Sequence, residues 1–166
     1  MNDTEPMTKY GFQKISDELN YLKTVERAEI AKEIERAAEL GDLKENAEYH
    51  AAKEKQGHVD SRIEELGKLI AKAQIVNPAE LEHARVSFGS TVVLCDLQTD
   101  EEITYTIVGG FESNPKMGLI SFNSPLAKQL LGKAEGDEFK ARFPGGEKEF
   151  EVLEVKYQEI VFESHH

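Results

Sequence analysis

The sequence predicts an α+β chain in two parts: a long N-terminal antiparallel helical hairpin of the coiled-coil type over residues 1–77, and a small antiparallel-sheet domain with one short helix over residues 85–160. Three observations predict it. Between residues 10 and 76 there is no proline, and Ala, Glu, Lys and Leu dominate, a composition that favours long helices. Apolar residues in that stretch recur in steps of three and four, the signature of a helical seam. Beyond residue 85, β-branched and aromatic residues gather in short runs separated by Gly, Pro, Asn and Asp, which reads as strands and turns.

Residues 1–6 are polar and read as a loose tail. The first arm carries Phe12, Ile15, Leu19, Leu22, Ile30, Ile34 and Ala37, and the second carries Val59, Ile63, Leu66, Ile70 and Ala73. Between them, Gly41 is suited to closing one helix, and Asp42-Leu43-Lys44-Glu45 has the acid-x-x-Glu spacing that opens another. The arms therefore fold back at a tip near residues 41–46. At about 1.5 Å per residue, roughly 30 residues per arm make a finger on the order of 45 Å long. Asn77-Pro78 ends the second arm and residues 78–84 read as a linker. Strands are expected over 86–94, 102–108, 119–122, 138–143 and 149–157, with Pro144-Gly145-Gly146 as a hairpin turn and 125–131 as a short helix opened by Pro125. Residues 161–166 read as a tail, and Ser164-His165-His166 is given no weight.

Composition narrows the function classes. With 39 % hydrophobic and 31 % charged residues in 166, the chain is lean for one compact core, which agrees with an extended element beside a small domain. The net charge is −12, divided as −4 over residues 1–77 and −8 over 78–166, so independent binding to duplex DNA is not expected. No run of about 18 apolar residues suggests a membrane span, and no charged-then-apolar leader is present, which points to a cytoplasmic protein. The lone Cys95 offers neither an internal disulfide nor a thiolate cluster.

No self-contained catalytic signature occurs: G-x-x-x-x-G-K-[ST], G-x-S-x-G, H-E-x-x-H and G-x-G-x-x-G are all absent, so an independent enzyme is not expected. The candidate chemistry lies at the tip, where Asp42 and Glu45 are three apart. One reading makes Asp42 a helix cap and Glu45 the partner that closes a capping box. The other makes them metal ligands. Magnesium is typically held by one or two carboxylates together with phosphates and water, so two acids on a probe are half a site, able to complete one in a partner. Arg36, Lys44, Lys53 and Lys55 near the tip suit either contact with a phosphate backbone or a solvated face of ion pairs. His50 and Glu54, at i and i+4, lack a third metal ligand by spacing, and His58 and His83 carry no signal. In the second part, Asn123-Ser124-Pro125 is an ordinary helix start that also presents a rigid edge for docking another protein.

The chain closely resembles the Gre transcript cleavage factors of bacterial RNA polymerase, the GreA type in particular, from residue 7 to about 157. The resemblance rests on Met7-Thr8-x-x-Gly11, Asp17-Glu18-Leu19, the tip Gly41-Asp42-Leu43-Lys44-Glu45-Asn46-Ala47-Glu48-Tyr49-His50, Gly89-Ser90-Thr91-Val92, Ile120-Ser121-Phe122-Asn123-Ser124-Pro125-Leu126-Ala127 and Gly132-Lys133. It implies an accessory transcription elongation factor whose coiled coil enters the polymerase secondary channel. There Asp42 and Glu45 would help hold the second Mg ion, and the polymerase itself would cut backtracked nascent RNA. It implies an FKBP-like second domain docking at the channel rim through Asn123, Ser124 and Pro125, and Lys53 placed to meet the RNA 3′ end. The factor is expected to be a monomer, and the isolated protein is not expected to bind Mg tightly, since two carboxylates leave most of an octahedral shell to water. Ala38 stands where some relatives carry arginine, which makes the basic patch small and suits short RNA fragments. Two other readings are an inhibitory paralogue that plugs the channel, against which the intact acid pair argues, and a prolyl isomerase or chaperone, for which the chain lacks the tryptophan floor of active FKBP pockets.

Overall fold

A computed structural model describes residues 4–163. The chain divides into two compact units, one holding Phe12–Ala73 and the other Pro6–Gly11 together with the chain from Gln74 onward. The first arm of the hairpin is helical from α1 (Lys9–Tyr21) through a π-helical turn at Leu22–Glu26 into α2 (Arg27–Ala38). The second arm is α3 (Ala47–Lys72).

The π turn has a cause in the spacing of the buried residues. Along the first arm Ile15, Leu22, Ile30 and Ala37 are buried, in steps of seven, eight and seven, whereas α3 buries Ala52, Val59 and Leu66 in steps of seven only. A seven-residue repeat keeps one stripe on the partner helix, and an eighth residue would rotate the stripe away by nearly a quarter turn. The i→i+5 winding at Leu22–Glu26 absorbs that extra residue, so Ile30 returns to the seam. Ion pairs flank the seam: Arg27 to Asp60 at 2.9 Å, Arg62 to Glu18 at 3.1 Å and Lys55 to Glu33 at 3.5 Å.

Two expectations for the ends of the hairpin are corrected. Glu5–Met7 is a strand, β1, where a loose tail was expected over residues 1–6; residues 1–3 lie outside the described residues. Its partner is β2 (Ala73–Ile75), which the apolar periodicity had assigned to the second helix. The Val76 N–H donates to the Met7 carbonyl at 2.8 Å, and Met7 is buried. Three residues are too few for a period to separate a strand from the end of a helix, and Ala73 continues the helical spacing of the second arm.

The second unit is a five-stranded sheet in the order β5-β4-β3-β7-β6, formed by β3 (Thr91–Asp96), β4 (Glu102–Val108), β5 (Leu119–Ser121), β6 (Glu138–Phe143) and β7 (Gly146–Lys156). All pairings are antiparallel except β4 with β5, which is parallel, so the expected antiparallel sheet carries one parallel edge. That edge is reached through two 3₁₀ turns, Gly110–Glu112 and Pro115–Met117. On β7 the inward residues step from Phe150 to Val152 and then by three to Val155. The register against β3 slips at the same place, between Val93 and Leu94, so a bulge returns Val155 to the core. The short helix α4 (Pro125–Leu130) places Ala127 and Leu130 in this core with Val92, Leu94, Ile107, Phe150 and Val152.

The expected linker at 78–84 is folded into this unit. Pro78 is buried in a 3₁₀ turn, and His83 Nε2–H donates to the Pro78 carbonyl at 2.7 Å while His83 Nδ1 meets the Ser90 hydroxyl at 2.6 Å. The expected tail is also engaged as far as residue 163. Phe162 stacks on Tyr10 at 4.4 Å, and the Tyr10 hydroxyl donates to Glu163 at 2.7 Å; Ser164-His165-His166 lie outside the described residues.

One carboxylate organises the N-terminal segment of the same unit. Glu112 is 3 % exposed and accepts from the backbone N–H groups of Thr8 (2.5 Å), Gly11 (3.1 Å) and Gly109 (2.7 Å), and from the Thr8 hydroxyl. Thr8 also caps α1, its Oγ1 accepting from the Gly11 N–H at 3.3 Å. A Cβ at position 11 would collide with the Glu112 carboxylate, which explains the glycine of Met7-Thr8-x-x-Gly11.

Candidate functional site

The hairpin tip is built by a division of labour. Gly41 has φ +124°, a conformation that side-chain-bearing residues rarely adopt, and it turns the chain out of α2. Residues 43–45 form a turn, and α3 begins only at Ala47. The N-cap of α3 is Asn46, whose Oδ1 accepts from the Tyr49 N–H at 3.0 Å. The expectation that Asp42 caps the second helix and Glu45 closes a capping box is therefore corrected. Asn is as good a cap as Asp, and the helix starts at the later of two eligible residues.

Asp42 instead makes a local turn, one carboxylate oxygen accepting from the Lys44 N–H at 3.0 Å. Glu45 makes no hydrogen bond or ion pair with any described residue. Both acids are exposed and both line one open concavity with Leu40, Asn46, Ala47 and Glu48. Leu40 and Leu43, 68 % and 44 % exposed, flank Asp42. Hard oxygen donors with lone pairs to spare suit magnesium. Among the described residues no group of three or more His, Cys, Asp or Glu is placed to hold a metal ion.

The basic residues predicted around the tip do not form one patch. Arg36 and Lys55 line a groove between the arms together with Glu33, Glu39 and Glu48, and Lys55 is tied to Glu33. Lys53 lies two positions from Lys55, about 200° around the helix, and is exposed without an ion pair to any described residue. Lys44 is exposed in the tip turn itself. His50 and Glu54 do not meet. His50 Nε2 lies 3.0 Å from the Lys44 carbonyl, while Glu54 faces His58 at 3.7 Å.

In the second unit, Ser124 caps α4, accepting from the Ala127 N–H at 3.2 Å, and Pro125 occupies the first helical position. The Asn123 N–H donates to Ser121 Oγ at 3.2 Å, and the Asn123 and Pro125 side chains are exposed. The three residues thus form a rigid outward corner.

The sequence places Asn46 and His50 in the tip motif and weighs His50 only as a metal ligand with Glu54; the structure gives both of them hydrogen bonds that hold the turn. The sequence signal for Asn46 is a second cap-type residue directly before an Ala-Glu start.

Comparison with known proteins identifies the family. Residues 5–75 match the family described as transcription elongation factor, N-terminal, and residues 81–157 match transcription elongation factor, GreA/GreB, C-term. The chain is 59 % identical to transcription elongation factor GreA of Nautilia profundicola over 95 % of this chain and 98 % of that protein. It is 58 % identical to that of Helicobacter hepaticus over 96 % and 98 %. A solved structure of the transcription factor Gfh1 aligns over 93 % of this chain and 99 % of that one, at 27 % identity and a TM-score of 0.46. On the two domain matches and the near-full-length identity, the chain belongs to the GreA/GreB family of transcription elongation factors.

Proposed function

We propose that this protein is an accessory factor that enters the secondary channel of bacterial RNA polymerase and stimulates the polymerase's own cleavage of backtracked nascent RNA, in the cytoplasm and as a monomer. The observation that carries the reading is the release of Asp42 and Glu45 from capping: two exposed carboxylates share one concavity at the end of a helical hairpin. An acid retained for helix stability would be spent on the helix, and these are not. Membership of a family of transcription elongation factors supports the same reading.

Asp42 and Glu45 would hold a Mg ion jointly with ligands of the polymerase, and the ion when bound supplies Lewis-acid activation of a water for attack on a phosphodiester. The chain's own contribution is placement. The two stiff arms carry the acids, the Asp42 turn fixes one carboxylate against the backbone, and the second carboxylate stays unencumbered. Lys53, exposed and unpaired among the described residues, would meet the RNA 3′ end. Lys44 follows as part of the tip, whereas Arg36 and Lys55 lie in an acid-lined groove and serve RNA less directly. The corner at Asn123, Ser124 and Pro125 would dock at the channel rim.

The test is a stalled elongation complex with labelled RNA, given the wild type or Asp42→Asn. Asparagine keeps the oxygen that accepts from the Lys44 N–H and removes the charge. Cleavage stimulation is expected to vanish while polymerase binding persists; cleavage at the wild-type rate would defeat the reading.

A further inference from the structure

Two side chains beside the acids, those of Asn46 and His50, hydrogen-bond across the tip. The Asn46 amide spans the bend: its Oδ1 accepts from the Tyr49 N–H at 3.0 Å, and its Nδ2 donates to the Ala37 carbonyl at 2.5 Å. One residue thus satisfies an orphan donor at the start of α3 and adds a side-chain donor to the Ala37 carbonyl, which also accepts from the Leu40 N–H at 3.1 Å. The amide orientation follows from its partners, because an N–H can only donate and a carbonyl can only accept. His50 closes the other side. Its Nε2–H donates to the Lys44 carbonyl at 3.0 Å, and its backbone N–H donates to the Asn46 carbonyl at 3.1 Å. The turn that presents Asp42 and Glu45 is therefore bracketed, with Asn46 fixing its end to both helices and His50 fixing the peptide between Lys44 and Glu45.

We infer that Asn46 and His50 are positioning residues for the Asp42–Glu45 pair, an inference that rests on the metal-delivery reading above. They set the direction of the two carboxylates without contacting metal or RNA. Asn46 also takes over the capping that would otherwise consume an acid. Groups that orient metal ligands typically cost roughly 10–100-fold in metal affinity or activity when removed.

Three variants separate positioning from mere folding. Asn46→Ser keeps a hydroxyl that can cap Tyr49 but is too short to reach the Ala37 carbonyl. His50→Ala removes the contact to Lys44, and His50→Gln restores an N–H at a similar reach. The readout is the Mg concentration that half-saturates RNA cleavage in a stalled polymerase complex, measured beside polymerase affinity and the helical melting temperature of the full chain. Asn46→Ser and His50→Ala are expected to raise the half-saturating Mg roughly tenfold or more at unchanged polymerase affinity. Asn46→Ser should melt close to the wild type, and His50→Gln should recover most of the loss. Wild-type Mg dependence in both Asn46→Ser and His50→Ala, with Asp42→Asn still inactive, would overturn the positioning role alone. If His50→Gln is as impaired as His50→Ala, the hydrogen bond to Lys44 is not the agent and the inference likewise fails. Full activity of Asp42→Asn would remove both the inference and the reading beneath it.

Discussion

Glu112 and the acids at the tip use the same functional group in opposite ways. Glu112 is buried, and its two oxygens accept from three backbone N–H groups and the Thr8 hydroxyl. Asp42 has one backbone partner and Glu45 has none among the described residues. A buried carboxylate is tolerated only when its lone pairs are satisfied, so Glu112 is committed to structure. An exposed carboxylate carries no such demand and keeps its lone pairs for a ligand. The degree of commitment, rather than the residue type, separates a structural acid from one available for chemistry.

The largest expected difference between the two regions is in activity. Asp42→Ala and Glu45→Ala should each abolish cleavage stimulation while shifting stability by no more than about 0.5 kcal/mol, as for surface sites away from packing. Thermal melting beside the RNA assay checks this, and a large loss of stability in either variant would break the contrast. The reverse holds at the buried acid. Glu112→Ala leaves the N–H groups of Thr8, Gly11 and Gly109 without their acceptor and should cost on the order of 3 kcal/mol, read by denaturant unfolding. Gly11→Ala drives a methyl into the same carboxylate and should cost about 1–3 kcal/mol.

Between these extremes lie groups that are partly engaged. Arg62 pairs with Glu18 at 3.1 Å with both side chains more than a third exposed, so Arg62→Ala should cost only about 0.5–1 kcal/mol, diminishing in high salt. The smallest effect is chemical. Burial, helped by the charges of Asp100, Glu151, Glu102 and Asp96, pushes the Cys95 thiol up from its ordinary range. The thiol therefore stays protonated at neutral pH, and the thiolate fraction rises only in more alkaline solution. Alkylation of the native protein at pH 8 should be slower than that of a small free thiol, and equal rates would contradict this.

Much of the architecture was legible because it rests on local patterning. The absence of proline, the steps of three and four and the Gly41 break located both arms, and the β-rich runs located the strands at 102–108 and 138–143 within the sheet. What escaped was set by partners far along the chain or by competition between equals. The eight-residue step from Leu22 to Ile30 was visible, but its resolution as a π turn depends on the seam of α3. Glu112 meets Thr8 and Gly11 across about a hundred residues, which no local period encodes. The helix start was misplaced from Asn46 to Asp42 because both are eligible caps, and only the Ala37 carbonyl favours Asn46, which can also donate. The tip acids were legible as a pair, whereas their freedom from capping was not.

The most direct test of the shared-site account is the Mg dependence of RNA cleavage by the polymerase complex with Glu45→Gln in place of the wild type. Glutamine preserves shape and removes the charge at a side chain with no hydrogen bond or ion pair to any described residue. A higher half-saturating Mg concentration with unchanged polymerase affinity is the predicted result, and a titration curve superimposable on the wild type would contradict it.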